Sequence, residues 1–160
     1  MLNINKAPQN TKAFAIMKGS IKYPDITGIV QFSETSKGII VTARIYGLPY
    51  TSIPCSYGIY GFHIHDGEKC TGNEEDPFAD TKEHYNPNDC PHPYHAGDMP
   101  PLFGNKGYAY MSFLTDRFTL NEIIGKTVVI HQSPDDFKTQ PSGNSGEKIA
   151  CGVIALLWKH

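Results

Sequence analysis

The sequence lacks any apolar stretch long enough to span a membrane. Its longest candidates, Ile149 to Trp158 and Gly125 to Ile130, fall far short of the roughly 20 residues that a spanning helix needs. It also lacks an excess of positive charge, because 14 basic side chains face 16 acidic ones and the formal net charge is -2. We therefore predict that neither a membrane nor nucleic acid is a partner.

The first residues, Met1 to Gln9, lack the charged-then-apolar layout of a secretory signal. The chain as given therefore predicts a cytoplasmic location. An extracytoplasmic location is compatible with the sequence only if a leader has been removed.

Cysteine is scarce, and no CxxC pair is present, which disfavours a zinc–thiolate knuckle or a thioredoxin-like motif. The four cysteines are Cys55, Cys70, Cys90 and Cys151. They are either buried free thiols or partners in one or two disulfides, and disulfides are unusual in a cytosol unless burial protects them.

What the chain does contain is a series of short runs rich in Ile, Val, Phe and Thr, separated by glycines. The predicted strands are Lys12–Met17, Ile26–Phe32, Gly38–Tyr46, Tyr57–His65, Gly107–Leu114, Thr127–His131 and Ile149–Leu157. The only helical pattern, Asp116 to Ile124, is short. With 160 residues and 15 glycines, this pattern predicts one all-β domain over residues 1–160, a Greek-key barrel or sandwich of about eight antiparallel strands.

Two long polar segments interrupt the strands. Asp66 to Pro101 holds six of the 12 prolines, and Gln132 to Lys148 separates the last two predicted strands. Loops of this length in a compact domain are usually functional. We therefore expect the chemistry of the protein to lie on them.

Histidines are concentrated in or beside these loops. Six of the seven are found there: His63, His65, His84, His92, His95 and His131. Only His160 stands apart. Side chains two residues apart in a strand share a face, so His63 and His65 can bind one ion.

In the first loop, His92 and His95 are followed three residues later by Asp98, and such a donor set suits zinc. A single histidine is usually a surface or hydrogen-bonding residue. A cluster of six, with a correctly spaced aspartate, predicts instead one or two transition-metal sites.

These motifs resemble the signatures of copper/zinc superoxide dismutases, and they occur in the family's order. The matching segments are Gly61–His65, His84–Pro87, His95–Asp98, Val128–His131 and Gly143–Val153. They span about the last hundred residues, while the earlier strands match more loosely. The family has a β-sandwich architecture.

The resemblance implies two metal sites that share one histidine. The implied copper ligands are His63, His65, His84 and His131, and the implied zinc ligands are His84, His92, His95 and Asp98. His84 would bridge both metals as an imidazolate. Because the spacing from His92 to His95 is shorter than in the animal enzymes, we expect zinc to bind in a more exposed site.

The resemblance also gives roles to two residues outside the ligand sets. Asp135 would hydrogen-bond one ligand of each metal; the alternative is a solvated loop acid beside Asp136. Lys148 occupies the position of an arginine that attracts the anionic substrate. It keeps the charge but loses the forked donor pattern, and the alternative is a surface lysine paired with Glu147.

For the cysteines, the resemblance implies a disulfide between Cys70 and Cys151. Cys55 and Cys90 have no such precedent, and they either form a second bridge or remain free.

The implied function is conversion of superoxide to oxygen and hydrogen peroxide by copper cycling between Cu(II) and Cu(I), with His84 as the proton donor. A non-catalytic copper- and zinc-binding relative is the main alternative, although all four copper ligands are present. A binding module with structural metals would leave Lys148 and Asp135 without a role. Superoxide is the implied partner, and a homodimer and a copper-delivery protein remain open.

Overall fold

The structure, a computed structural model, describes residues 11–56 and 58–157. The predictions made for Met1 to Gln9 and for His160 lie outside these residues. Nine strands are found among them: β1 Thr11–Gly19, β2 Thr27–Thr35, β3 Gly38–Tyr46, β4 Ile59–Tyr60, β5 Phe62–His65, β6 Leu102–Phe103, β7 Ala109–Thr115, β8 Thr127–His131 and β9 Lys148–Leu156. One 3-10 turn, Ala79–Thr81, and one short helix, α1 Leu120–Ile123, complete them.

Seven strands form one antiparallel sheet in the order β5-β8-β9-β1-β2-β3-β7, and β4 pairs with β6 in a small second sheet. The small sheet connects the two ends of the large one. Strand β6 packs beside β7, β6 pairs with β4, and β4 leads through Gly61 into β5. The predicted all-β Greek-key barrel is thereby confirmed.

The barrel encloses one main apolar core. Strand β3 lies with one face on this core: from Gly38 to Ile45 its residues alternate between half-buried and buried positions, and the last residue, Tyr46, is exposed, as expected for such a strand. Phe32, Phe62 and Ile64 are among its fully buried side chains. Phe118 packs edge-on against Phe32, with ring centroids 6.4 Å apart, and so attaches the segment before α1 to the core.

Several element boundaries differ from the prediction. The predicted strand Tyr57–His65 is two strands, because β4 and β5 belong to different sheets and are separated by Gly61. An added Cβ at Gly61 would crowd Ser145 and His131. Tyr57 itself lies outside the described residues. The predicted helix shrinks to four residues, with Thr119 and Glu122 forming a capping box at its start.

The two long loops leave the barrel beside β5 and β8. The first loop, residues 66–101, and the second loop, residues 132–147, both pack against this end of the sheet. Among the described residues, neither helical segment is long and apolar enough to cross a membrane.

Candidate metal centre

The strand pairing brings the first three histidines together. His63 and His65 lie on β5, which pairs with β8, and β8 ends at His131. All three side chains are buried. The Nε2 atoms of His65 and His131 are 3.2 Å apart, so these two rings point toward one position.

His84 reaches the same position from the first loop. An isolated bridge pairs it with His65, and its ring centroid lies 4.0 Å from that of His63. One ligand atom from each of His63, His65, His84 and His131 lies within 4.8 Å of the others. This cluster of four is the copper ligand set that the resemblance implies.

A second cluster shares His84. One ligand atom from each of His84, His92, His95 and Asp98 also falls within 4.8 Å of the others. Asp98 is the acidic member: its Oδ1 is 2.7 Å from His84 Nδ1, and its Oδ2 is 3.1 Å from His92 Nδ1. Three imidazoles and one carboxylate are a donor set typical of tetrahedral zinc.

The second cluster does not form the exposed zinc site that the short spacing led us to expect. His92, His95 and Asp98 are all buried. The shortened loop folds inward because Gly97 pairs through its backbone with Tyr85 and Ile64. A side chain at Gly97 would collide with the Ile64 carbonyl oxygen.

Outer hydrogen bonds fix which nitrogen each copper-site ring presents. His65 Nδ1 donates to the Lys82 carbonyl at 2.8 Å, and His131 Nδ1 to that of Gly146 at 3.2 Å. His63 donates through Nε2 to Asp135 Oδ2 at 2.8 Å. The remaining nitrogens, His65 Nε2, His131 Nε2 and His63 Nδ1, are therefore free to act as ligand atoms.

Four buried ring nitrogens make no hydrogen bond. They are His63 Nδ1, His84 Nε2, His92 Nδ1 and His95 Nδ1; the last two lie 3.1 and 3.3 Å from Asp98 Oδ2, but not in hydrogen-bonding geometry. Buried polar atoms are normally satisfied, so these four nitrogens indicate two adjacent positions that suit cations. His84 contributes Nε2 to the first cluster and Nδ1 to the second, and the residues therefore fit a copper ion and a zinc ion that share this ring.

Asp135 connects the two clusters from outside. Its Oδ2 accepts from His63 and its Oδ1 accepts from His92 Nε2, both at 2.8 Å, and Oδ1 also accepts from the Phe137 amide at 2.7 Å. Asp135 is buried, so it is not a solvated loop acid. Gly143 makes this contact possible, because its positive φ of 71° and missing Cβ leave room for the Asp135 carboxylate.

The electrostatics of the site favour neutral rings. Burial lowers the pKa of His63 to about 4, against the opposing effect of its bond to Asp135. Burial, with a smaller contribution from nearby His63, lowers the pKa of His131 to about 3. Burial also places the pKa of His65 well below its usual value. Neutral imidazole is the form that binds a metal.

The two carboxylates stay ionised. Burial acts to raise the pKa of Asp98, but the hydrogen bond to His84 and the electrostatic effects of His84, His95 and His92 together outweigh it, and the net shift of the pKa is downward. Burial acts in the same way on Asp135, and its bonds to His63, Phe137 and His92 lower that pKa strongly. An ionised Asp98 supplies the negative charge that a divalent cation needs.

Lys148 lies beside the first cluster, opposite His131 in the pairing of β8 with β9. Its Nζ contacts Asp76 Oδ2 at 2.7 Å and donates to the Phe78 carbonyl at 3.2 Å. Glu147 pairs instead with Lys22, so the alternative pairing of Lys148 with Glu147 is wrong. The cation is held in place, with Asp76 offsetting part of its charge.

The cysteines divide into one bridge and two thiols. Cys70 and Cys151 form a disulfide that joins the first loop to β9, as the resemblance implies. Cys55 and Cys90 are free, so a second bridge is excluded. Cys55 is exposed, while the backbone of Cys90 is held by two hydrogen bonds to Asn86 within its own turn.

Two residues of the site were missed by the sequence reasoning. Arg117 and Gln140 both hydrogen-bond the backbone of the segment that carries His92, His95 and Asp98. Neither residue belongs to a ligand motif. A contact between a side chain and the backbone of a distant segment leaves no spacing pattern in the sequence by which it could be predicted.

Comparisons with known proteins agree with this geometry. The family model described as copper/zinc superoxide dismutase matches residues 26–154. The chain is 33% identical over 145 residues to superoxide dismutase (Cu-Zn) 2 of Aquifex aeolicus, covering 81% of this chain and 80% of that protein. It is 31% identical over 150 residues to the superoxide dismutase (Cu-Zn) of Deinococcus radiodurans, covering 82% and 79%. Superoxide dismutase (Cu-Zn) 5 of Dictyostelium discoideum is 31% identical over 154 residues, with 85% and 94% covered.

Proposed function

This chain belongs to the copper/zinc superoxide dismutase family and is a superoxide dismutase with copper and zinc as its metals, and on that basis we propose how its residues carry out the reaction. His63, His65, His84 and His131 would hold copper, while His84, His92, His95 and Asp98 would hold zinc. The observation that carries the proposal is the sharing of His84 between two buried clusters, each with unsatisfied ring nitrogens.

Copper supplies the one-electron chemistry by alternating between Cu(II) and Cu(I), a change that zinc cannot undergo. Two superoxide anions and two protons give one oxygen and one hydrogen peroxide: the first anion is oxidised and the second is reduced. The chain must therefore bind an anion, exclude competing groups and deliver protons.

His84 is the proton donor in this proposal. Its Nε2 faces the copper cluster and its Nδ1 faces the zinc cluster. His84 Nε2 would hold a proton and pass it to the reduced substrate, while water would supply the second proton. Binding of Nδ1 in the zinc set would keep the ring in place and tune its basicity.

Lys148 is the proposed attraction for superoxide. The whole molecule carries a formal charge of -2, so attraction depends on local cations. The contacts to Asp76 and to the Phe78 carbonyl hold this ammonium beside His131. Unlike an arginine, it provides a point charge rather than a planar fork.

Superoxide decay, followed by its ultraviolet absorbance, tests the proposal. We expect protein loaded with both metals to accelerate the decay in proportion to its copper content. His131→Ala, which keeps the whole zinc set, should lose most of this activity, and zinc-only protein should lose all of it. If fully loaded wild-type protein leaves the decay at its spontaneous rate, metal carriage replaces dismutation as the function.

A further inference from the structure

The zinc-ligand segment, residues 92–98, has little regular structure of its own. Within it, the Asp98 amide donates a hydrogen bond to the His95 carbonyl, and the His95 amide donates one to the Asp98 carboxylate. The remaining polar groups of its backbone need partners from elsewhere, because buried amides and carbonyls are rarely left unpaired.

Arg117 supplies partners on one side. Its Nη1 lies 3.1 Å from the Pro93 carbonyl oxygen, 3.3 Å from that of His95 and 3.2 Å from that of Asp98. Two of these three carbonyls belong to residues of the zinc set. A single charged donor therefore gathers the segment around itself, and hydrogen bonds to charged groups are stronger than neutral ones.

The base of Arg117 is itself held in place. Its amide donates to Thr115 Oγ1 at 3.3 Å, at the end of β7. The next residue, Phe118, is buried against Phe32 in the core. The guanidinium therefore holds the zinc-ligand segment in a fixed position relative to the barrel.

Gln140 holds the other end of the segment, at His92. The His92 amide donates to Gln140 Oε1 at 3.0 Å, and Gln140 Nε2 donates to the His92 carbonyl at 2.7 Å. This two-point contact spans 48 residues. Gln140 is presented by a closed turn, in which the Thr139 hydroxyl and amide bond to Asp136.

From these contacts we propose that Arg117 and Gln140 are positioning residues for zinc. They fix the backbone from which His92, His95 and Asp98 project, while Asp135 orients the His92 ring. Because His92 and His95 are only three residues apart, the segment between them is too short to orient its own ligands. The side chains of Arg117 and Gln140 hold its backbone instead. The inference rests on the proposed zinc set.

The test compares Arg117→Met and Gln140→Met with wild type, all loaded with copper and zinc. Each substitution keeps an unbranched stem and removes the polar head. Arg44→Met is the matched control. Arg44 lies on β3, and its Nη1 also donates a hydrogen bond, to Gln31 Oε1 at 2.8 Å. The measurements are the rate of zinc transfer to an excess of chelator and the visible spectrum of cobalt(II) placed in the zinc site.

Loss of outer partners typically lowers metal affinity by about 10- to 100-fold. We expect Arg117→Met and Gln140→Met to release zinc roughly 10-fold faster or more on that basis, and to change the cobalt spectrum. Arg117→Lys, which keeps a donor, should fall between Arg117→Met and wild type, and Arg44→Met should match wild type.

Two results would overturn the inference. One is zinc release at the wild-type rate from both variants. The other is an equal fall in unfolding midpoint for metal-free and metal-loaded Arg117→Met, because that would make Arg117 an anchor of the fold alone. Failure of wild-type protein to bind zinc at all would instead refute the proposed function.

Discussion

At the scale of single residues, Asp135 is the carboxylate that hydrogen-bonds a ring from each of the two clusters. It accepts from a ring of each set, His63 and His92, at 2.8 Å. We expect Asp135→Asn to lower the affinity for both metals by about 10- to 100-fold, because an amide cannot accept equally well at both positions. Chelator competition for each metal measures this. Asp25→Asn is the control, since exposed Asp25 lies between β1 and β2, on a segment that carries no predicted metal ligand; equal losses in both variants would contradict the role of Asp135.

Lys148 and Asp76 form the second residue-scale pair. Lys148→Ala should slow superoxide decay several-fold and weaken its dependence on ionic strength, because the cation beside His131 is lost. Asp76→Asn should do the opposite and raise the rate, since it removes the negative charge 2.7 Å from the ammonium. Lys37→Ala, at the exposed turn between β2 and β3, controls for net charge. If Lys37→Ala slows the decay as much as Lys148→Ala does, the proposal that Lys148 attracts superoxide is wrong.

Some contacts of these residues could be predicted from the sequence, and others could not. The pairing of His63 with His65 was predictable, because alternation along a strand places both on one face. The partner of Lys148 was not, since Glu147 is adjacent in sequence but points to Lys22, while Asp76 arrives from 72 residues away. Arg117 and Gln140 were missed for a similar reason, because their partners are backbone atoms on another loop.

At the scale of elements, six of the nine strands were predicted within a few residues, whereas β4 and β5 were predicted as one strand and β6 was not predicted. The paths of the loops were not predicted. Hydrophobic alternation determines β3 and β2 locally. The inward path of residues 92–98 depends instead on Gly97, Tyr85 and Ile64, which lie in different parts of the chain. For that reason the sequence suggested an exposed zinc site, and the structure shows a buried one.

The disulfide joins the first loop to β9 across 81 residues. The chain-entropy relation for a closed loop of this length corresponds to about 4.5 kcal/mol of stabilisation. We therefore expect reduction, or Cys70→Ser with Cys151→Ser, to lower the unfolding free energy by roughly 3 to 5 kcal/mol, measured by denaturant titration. Cys55→Ser with Cys90→Ser should leave the stability and its response to reductant near wild type; sensitivity to reductant that disappears in this variant would contradict the assignment.

At the scale of the whole molecule, the buried histidines make the metal-free protein sensitive to acid. Unfolded histidine has a pKa near 6.5, whereas the folded values are about 4 for His63 and about 3 for His131. Between these limits the unfolded chain binds protons that the native chain does not, so stability falls as the pH falls. Above about pH 6.5 these rings are neutral in both the folded and the unfolded chain, so the stability that is lost in acid is fully present there.

Thermal unfolding of metal-free protein from pH 7 to pH 4 checks this sign. We expect a midpoint that declines steadily toward pH 4, and a higher midpoint at each pH for protein that retains its metals, because ligands bound to a metal cannot be protonated. A metal-free midpoint that is constant or rises toward pH 4 would show that these rings are not held neutral in the fold.

In the proposed function, the two clusters form one two-metal centre through His84. Electron paramagnetic resonance of protein with Cu(II) in both sites tests this, because two Cu(II) ions that share an imidazolate couple magnetically. We expect a low-temperature signal far weaker than two separate ions would give, alongside a full one-copper signal from the copper–zinc form. A full two-copper signal, equal to the sum of isolated ions, would contradict it.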